Sequence, residues 1–198
     1  ALNAIKNAHI KKNVIDLIIV ATTTPDNTFP ATDTLVQKKL GINAAYFDVQ
    51  AVWAGFVFAL SVAKSLMKDN HFSNCLVIGA DSMSKILDWN DRTTSVLFGD
   101  GAGAVVLQKF ENIDEKLNDW GILSNVIHSD GNLYDLLKTN GGVSNNQSSG
   151  FIEMSGKDVF KHAIDKLSSS LEEALSLSNK VINQLDFLVP HQANQRII

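Results

Sequence analysis

Apolar runs alternate with amphipathic segments along the first half of the chain. Residues 14–21 form a continuous apolar run rich in β-branched side chains, which is typical of a strand buried on both faces of a sheet. Residues 45–49 and 74–80 have the composition of two further strands, and residues 32–40 and 54–68 the pattern of two helices. This alternation of strands and helices predicts a parallel sheet covered by helices.

The second half of the chain begins a similar pattern after a polar stretch. Its predicted elements are a glycine-dense turn at 99–103, strands at 104–108, 122–128 and 185–189, a loop at 139–150, and a long helix at 156–178. Ala4, Asn13 and Asp16 recur as the same residue types 170 positions later, each time along a helix, a short link and a strand. The pattern predicts two similar halves related by a pseudo-two-fold axis, with a site at their junction.

Both halves are expected to be incomplete. We place them at residues 1–118 and 119–198 and predict a layered α/β fold of two similar βαβαβ-type halves, truncated at both ends. Ala1 begins within an amphipathic helix without an initiator Met, and Ile198 ends as a new helix starts. We therefore expect an internal fragment of a longer protein.

Composition narrows the class of protein. The formal net charge of −4 argues against a nucleic-acid partner. The longest apolar stretch, 51–63, is shorter than the roughly 20 residues that a membrane span needs. The single cysteine, Cys75, excludes an internal disulfide and suits a cytoplasmic location, and because it lies in an apolar strand we expect an inert thiol. No metal site is expected, since no ligand spacing relates the four histidines His9, His71, His128 and His162.

Residues 48–56 have the composition of a nucleophile elbow: a short strand, a sharp turn and an apolar helix. A side chain at such a turn lies at a helix N-terminus, where unpaired N–H groups and the macrodipole lower the pKa of a thiol. This chain has Trp53 at that position. An indole makes no use of such a field, and the residue taken in isolation would be interpreted as a core aromatic.

Several motifs occur together in a specific order. They are Thr22-Thr23-Thr24-Pro25, Phe29-Pro30, Phe47-Asp48-Val49, Ala54-Gly55-Phe56, Asp88-Trp89-Asn90-Asp91-Arg92, Phe98-Gly99-Asp100-Gly101-Ala102-Gly103 and Pro190-His191-Gln192-Ala193-Asn194. Through them, nearly the whole chain resembles β-ketoacyl-acyl carrier protein synthase III, a family of thiolase-fold condensing enzymes. The resemblance implies a decarboxylating Claisen condensation of an acyl-CoA with malonyl-acyl carrier protein, which starts fatty-acid synthesis.

The resemblance also implies the catalytic groups. An elbow cysteine accepts the acyl group, and a His and an Asn stabilise the enolate that forms when the malonyl group loses carbon dioxide. Trp53 occupies the position of that cysteine, His191 that of the histidine, and the Asn would lie beyond residue 198. We therefore expect no condensation by the chain as written, with malonyl decarboxylation the activity most able to persist in a full-length version.

The remaining roles implied by the resemblance concern substrates and partners. They are a CoA adenine or phosphate contact for Arg92, the pantetheine tunnel for Gly156, Phe160, Ala193 and Asn194, carrier-protein docking for Arg196, and the partner's acyl pocket for Phe29. A homodimer follows from the last of these. No cofactor is expected, since the CoA thioester is a substrate.

Two alternatives remain open from the sequence. One is a non-catalytic homologue that binds acyl-CoA or carrier protein, with Trp53 filling the tunnel. The other is a related condensing enzyme with different substrates. The sequence does not distinguish a natural Trp53 from a mutation or a sequence error.

Overall fold

The computed structural model describes residues 1–69, 71–110 and 120–193. The chain forms two compact units, which are treated separately below. The first unit comprises Ala1–Ser82 and Asp100–Trp120, and the second comprises Met83–Gly99 and Gly121–Ile198. The predicted halves, residues 1–118 and 119–198, are defined by an internal repeat in the sequence and not by compactness. That division therefore stays a prediction.

A four-stranded sheet forms the centre of the first unit. Its strands are β1 (Leu17–Ala21), β2 (Ala45–Val49), β3 (Asn74–Ser82) and β4 (Asp100–Gln108). The order across the sheet is β2-β1-β3-β4; the first three strands are parallel, as the sequence predicts, and β4 is antiparallel to β3.

Alternate side chains of the sheet enter two different layers, because successive strand residues point to opposite faces. Ile18, Val20 and Leu76 pack on one face with Ile5 and Leu40 of the helices α1 (Leu2–Asn7) and α2 (Thr32–Leu40). On the opposite face, the core consists of Leu17, Ile19, Ala21, Cys75 and Val77 of the sheet and Ala59, Ala63 and Met67 of α3 (Gly55–Lys68). The unit is therefore a helix–sheet–helix sandwich, and the apolar run predicted to be a strand buried on both faces corresponds to β1.

Two predicted boundaries in the first unit are wrong. The first strand begins at Leu17 because Lys12–Val14 forms a 3₁₀ turn. The glycine-dense segment at 99–103 is not a turn: Gly101 and Gly103 lie within β4, where they pair with Asp81 and Gly79 of β3. Pairing with β3 has overridden the local preference of glycine for turns.

The second unit contains a small antiparallel sheet and a long helix. Its elements are β5 (Leu137–Thr139), α4 (Val143–Asn146), β6 (Ile152–Met154) and α5 (Gly156–Leu177). Met83, Ile86, Leu87 and Ile152 form its buried cluster. The long helix is predicted correctly, but residues 122–128 and 185–189 are not strands. A strand requires a hydrogen-bonding neighbour, and neither segment has one among the described residues.

The internal repeat is visible in the backbone at the predicted spacing of 170 residues. After α1, His9 has a φ of 54°, and after α5, Asn179 has a φ of 53°. A 3₁₀ turn then follows in each case, at Lys12–Val14 and at Ile182–Gln184. The two copies differ at the next step, where β1 forms in the first unit and residues 185–189 remain irregular.

Among the described segments, no helix has both the length and the apolarity that are needed to cross a membrane.

Candidate active site

The elbow that the sequence predicts is present in the first unit. β2 ends at Val49, Val52–Ala54 forms one 3₁₀ turn, and α3 begins at Gly55. Val52 has a φ of 47°, an outlier for a β-branched residue. Such strained backbone is concentrated at functional sites, where the surrounding structure holds it in place. Trp53 lies within this turn and is 37% exposed.

Glycine allows α3 to approach the sheet closely beside the elbow. A Cβ atom at Gly55 would lie 3.2 Å from Cβ of Ala21 on β1, tighter than ordinary packing. A second close approach involves β3, where a Cβ atom at Gly79 would lie 3.3 Å from Cδ2 of Phe56 on α3. The start of α3, and with it residue 53, is therefore fixed against the carboxyl ends of β1 and β3.

The N-terminus of α3 favours negative charge. Its first turn carries no acidic side chain, and its N-cap residue, Ala54, makes no side-chain hydrogen bond to it. The first N–H groups of a helix lack intrahelical partners and carry partial positive charge. A thiolate at position 53 would be stabilised there. An indole has only an N–H donor and no group that can lose a proton near neutral pH to become a nucleophile.

Cys75 shows the opposite environment. Its side chain is fully buried in the sheet, and burial, with a smaller contribution from Asp16, raises the pKa of its thiol to about 12. A thiol in this state is protonated at neutral pH and is not a nucleophile. The structure agrees with the interpretation of Cys75 as a core residue.

Asp48 connects the elbow strand to α2. Its carboxylate accepts hydrogen bonds from the backbone N–H groups of Thr32 (2.8 Å) and Asp33 (3.1 Å), the first two residues of that helix. The side chain of Asp33 is itself completely buried. Burial first, and then the charge of Asp48, raise the pKa of Asp33 to about 6.

Asp81 holds the threonine motif at the carboxyl end of β1. Its Oδ1 accepts a hydrogen bond from the backbone N–H of Thr23 at 2.7 Å. The Oγ1 of Thr24 accepts one from the backbone N–H of Ser82 at 2.7 Å. These bonds tie the loop after β1 to the end of β3. They also fix the start of the segment that leads to Phe29, whose side chain is 83% exposed.

Arg92 lies in the second unit on a turn that two aspartates stabilise. Oδ1 of Asp88 accepts from the backbone N–H of Asn90 at 2.9 Å, and Oδ1 of Asp91 from that of Thr93 at 2.9 Å. Hydrogen bonds from Thr93 and Thr94 hold the pKa of Asp91 below its usual range. Arg92 itself is exposed.

The other predicted residues lie in the second unit or outside the described residues. Gly156 begins α5, and Phe160, on the next turn, is half-buried. His191 and Ala193 are exposed and lie in irregular backbone instead of following a strand. Asn194 and Arg196 lie outside the described residues. The roles of these residues therefore stay predictions.

Sequence reasoning missed the acidic residues that fix the elbow and its neighbouring loops. Asp48 and Asp81 lie at or near the carboxyl ends of buried strands, a position that could have marked them as candidates. The burial of Asp33 carries no signal in the sequence, because it depends on packing between α2 and the sheet.

Known proteins match both the sequence and the fold. A sequence model of the 3-oxoacyl-[acyl-carrier-protein] synthase III family matches residues 47–131. β-Ketoacyl-[acyl-carrier-protein] synthase III of Paramagnetospirillum magneticum is 52% identical, and that of Wolbachia pipientis wMel 54%. The alignments cover all of this chain and 61% of each relative. The crystal structure of 3-oxoacyl-[acyl-carrier-protein] synthase III from Aquifex aeolicus superposes with a TM-score of 0.90 at 38% identity, over 100% of this chain and 60% of that one.

The mixed sheet, the elbow and the structural match together define a condensing-enzyme fold of the thiolase type, as the sequence predicts. Within that class, the matches in sequence are specific. The chain is similar along its whole length to 3-oxoacyl-[acyl-carrier-protein] synthase III proteins, and it spans about three fifths of the length of these relatives.

Proposed function

We propose that this chain is part of a protein that binds acyl-CoA and malonyl-acyl carrier protein at the start of fatty-acid synthesis. The observation that carries the proposal is the elbow: a strained residue, Val52, immediately before position 53 at the N-terminus of α3. In the corresponding reaction, a thiolate attacks the thioester carbonyl, and the CoA thiolate leaves and takes up a proton. The positive end of α3 would stabilise the attacking thiolate.

With Trp53 at that position, the chain does not form an acyl-enzyme. The indole has no ionisable group near neutral pH, so the covalent step has no nucleophile. Decarboxylation of the malonyl group depends instead on donors that stabilise the enolate oxygen. We assign that role to His191, and this activity is the one expected to persist in a longer version of the protein.

Covalent acyl capture tests the proposal. The variant Trp53→Cys and the matched control Trp53→Ala are incubated with acetyl-CoA, and intact-protein mass spectrometry counts the acetyl groups. We expect one acetyl group on Trp53→Cys, located by peptide mapping to residue 53, and none on Trp53→Ala or on the unmodified chain. Absence of the adduct on Trp53→Cys, while the protein remains folded, would contradict the proposal.

A second candidate function is non-catalytic binding of acyl-CoA or carrier protein. Trp53 itself favours it, since a bulky side chain at the elbow would fill the space of an acyl chain. Under this alternative, the unmodified chain binds CoA, and Trp53→Cys binds it without becoming acylated. The acetyl count on Trp53→Cys, together with CoA binding measured by isothermal titration calorimetry, therefore separates the two functions.

The expected homodimer and cytoplasmic location also belong to this proposal. Phe29, exposed on the loop before α2, is the residue assigned to the partner's acyl pocket. Analytical ultracentrifugation of the chain and of Phe29→Ser tests the dimer: the variant should dissociate at lower concentrations of denaturant or salt than the unmodified chain.

A further inference from the structure

Asp91 accepts several of the hydrogen bonds that shape the turn carrying Arg92. Oδ1 of Asp91 accepts hydrogen bonds from the backbone N–H of Thr93 at 2.9 Å and from its hydroxyl at 2.6 Å. Oδ2 of Asp91 accepts one from the hydroxyl of Thr94 at 2.8 Å. The main-chain carbonyl of Asp91 accepts from the N–H of Ser95 at 3.0 Å. These hydrogen bonds, all accepted by Asp91, fix the backbone that follows Arg92.

Thr94 anchors this turn to the second unit. Its side chain is fully buried, although the residues on either side of it are exposed or partly exposed. A buried hydroxyl requires a hydrogen-bond partner, and Asp91 provides it. The pair therefore connects the exposed turn to the interior and restricts the backbone between Asp91 and Thr94.

Arg92 is left available to a ligand by this arrangement. An arginine next to aspartates would ordinarily pair with one of them. Among the described residues, however, Arg92 forms no salt bridge, and the oxygens of Asp91 are directed to Thr93 and Thr94. The guanidinium keeps its five donors and its planar face, which suit a phosphate or a nucleobase.

We propose that Asp91 is a positioning residue that, through Thr93 and Thr94, holds Arg92 ready to bind the nucleotide end of a CoA thioester. This inference rests on the proposed function, because it takes acyl-CoA as the ligand. It extends that function by assigning affinity for the nucleotide to a residue that does not touch it.

Electrostatics and positioning predict opposite signs for the loss of Asp91. If Asp91 acted only through its charge, its removal would strengthen binding of an anionic ligand by relieving repulsion. If it acts by fixing the turn, its removal frees Arg92 to sample other conformations and weakens binding. The variant Asp91→Ala therefore distinguishes the two effects by the direction of the change.

The experiment measures CoA affinity of the 198-residue chain by isothermal titration calorimetry. We expect Asp91→Ala and Thr94→Val each to raise the Kd for CoA by roughly fivefold to tenfold. This change corresponds to the free energy that about one hydrogen bond contributes. Asp91→Asn keeps an acceptor for Thr93 and should show a smaller change. Pantetheine, which lacks the nucleotide, should bind all variants and the unmodified chain equally.

Two controls separate a local from a general effect. Asp130→Ala removes an aspartate that caps another turn of the same unit, through the N–H of Asn132 at 3.2 Å, and should leave the Kd for CoA unchanged. Arg92→Ala should weaken CoA binding at least as much as Asp91→Ala. Double substitution of Asp91 and Arg92 should add nothing further, since Asp91 acts through Arg92.

The outcomes are distinct. Unchanged or tighter CoA binding by Asp91→Ala, with weakened binding by Arg92→Ala, overturns the positioning role and leaves the proposed function intact. Failure of the unmodified chain to bind CoA overturns both. Equal weakening for CoA and pantetheine shows a general structural effect and also overturns the positioning role.

Discussion

The backbone N–H of Asp33 donates a hydrogen bond to Oδ1 of Asp48 at 3.1 Å, while the carboxyl group of Asp33 is completely buried. Two acidic side chains therefore lie together at the start of α2. One of them, Asp48, belongs to the strand that leads into the elbow. Asp48 stabilises the helix N-terminus by accepting hydrogen bonds from its first two N–H groups. Burial and the charge of Asp48 raise the pKa of Asp33 to about 6, so that its carboxyl group is neutral only below that pH.

This pair predicts a pH-dependent stability. The folded pKa of Asp33 lies above its ordinary value of 3.8, so its contribution is full below pH 3.8 and is lost as the pH rises through about 6. Asp33→Ala should remove this dependence. From pH 5 to pH 8, the free energy of unfolding of the unmodified chain should fall relative to that of the variant, by about 2 kcal/mol at most.

Denaturant unfolding at the two pH values checks this prediction. Asp26→Ala, which removes an exposed acid from the preceding loop, is the matched control and should keep the pH dependence of the unmodified chain. A stability difference between the unmodified chain and Asp33→Ala that is the same at both pH values would show that Asp33 does not titrate in this range.

The strain at Val52 predicts an inverted order of stability for glycine and alanine. At a φ of 47°, any side chain is unfavourable, so Val52→Gly should be more stable than Val52→Ala by about 1 kcal/mol. Val57, on α3 and similarly exposed, is the control, because glycine within a helix is less stable than alanine by roughly 0.5–1 kcal/mol. Thermal or denaturant unfolding of the four variants gives the result. The same order at both positions would disprove a strained elbow.

The contact between Gly55 and Ala21 predicts a coupled pair of substitutions. Gly55→Ala places a Cβ atom 3.2 Å from that of Ala21, which lies on a buried strand and has no rotamer with which to withdraw. The single variant should lose about 1–3 kcal/mol of stability through overpacking. Adding Ala21→Gly should recover at least about 1 kcal/mol of this loss in a double-mutant cycle. Additive effects would mean that α3 does not approach β1 so closely.

Local patterns predicted the elbow well, since each of its parts has its own signal. The apolar run ending at Ala21, the short strand ending at Val49 and the apolar helix starting near Gly55 all lie where the sequence places them. The internal repeat was also predictable from the sequence, because His9 and Asn179 both follow a helix with a positive φ. These features depend on residues close together in the chain.

Non-local pairing explains what the sequence did not predict. Gly101 and Gly103 favour a turn, yet they form a strand because β3 lies beside them. Conversely, residues 185–189 have a strand-like composition but no neighbouring strand among the described residues, so they remain irregular. The roles of Asp48 and Asp81 are likewise set by partners that lie 15 or more positions away.

The proposed function requires position 53 to be a site that stabilises a thiolate at the N-terminus of α3. The most direct test is the pH dependence of iodoacetamide alkylation of Trp53→Cys, with Val96→Cys as the reference thiol on an exposed loop. Cys75 should not react, because it is buried with a pKa raised to about 12. We predict that the thiol at position 53 titrates about one pH unit or more below the reference, whose pKa should be near the ordinary value of about 8.5. A thiol at position 53 that titrates at or above the reference would contradict the account.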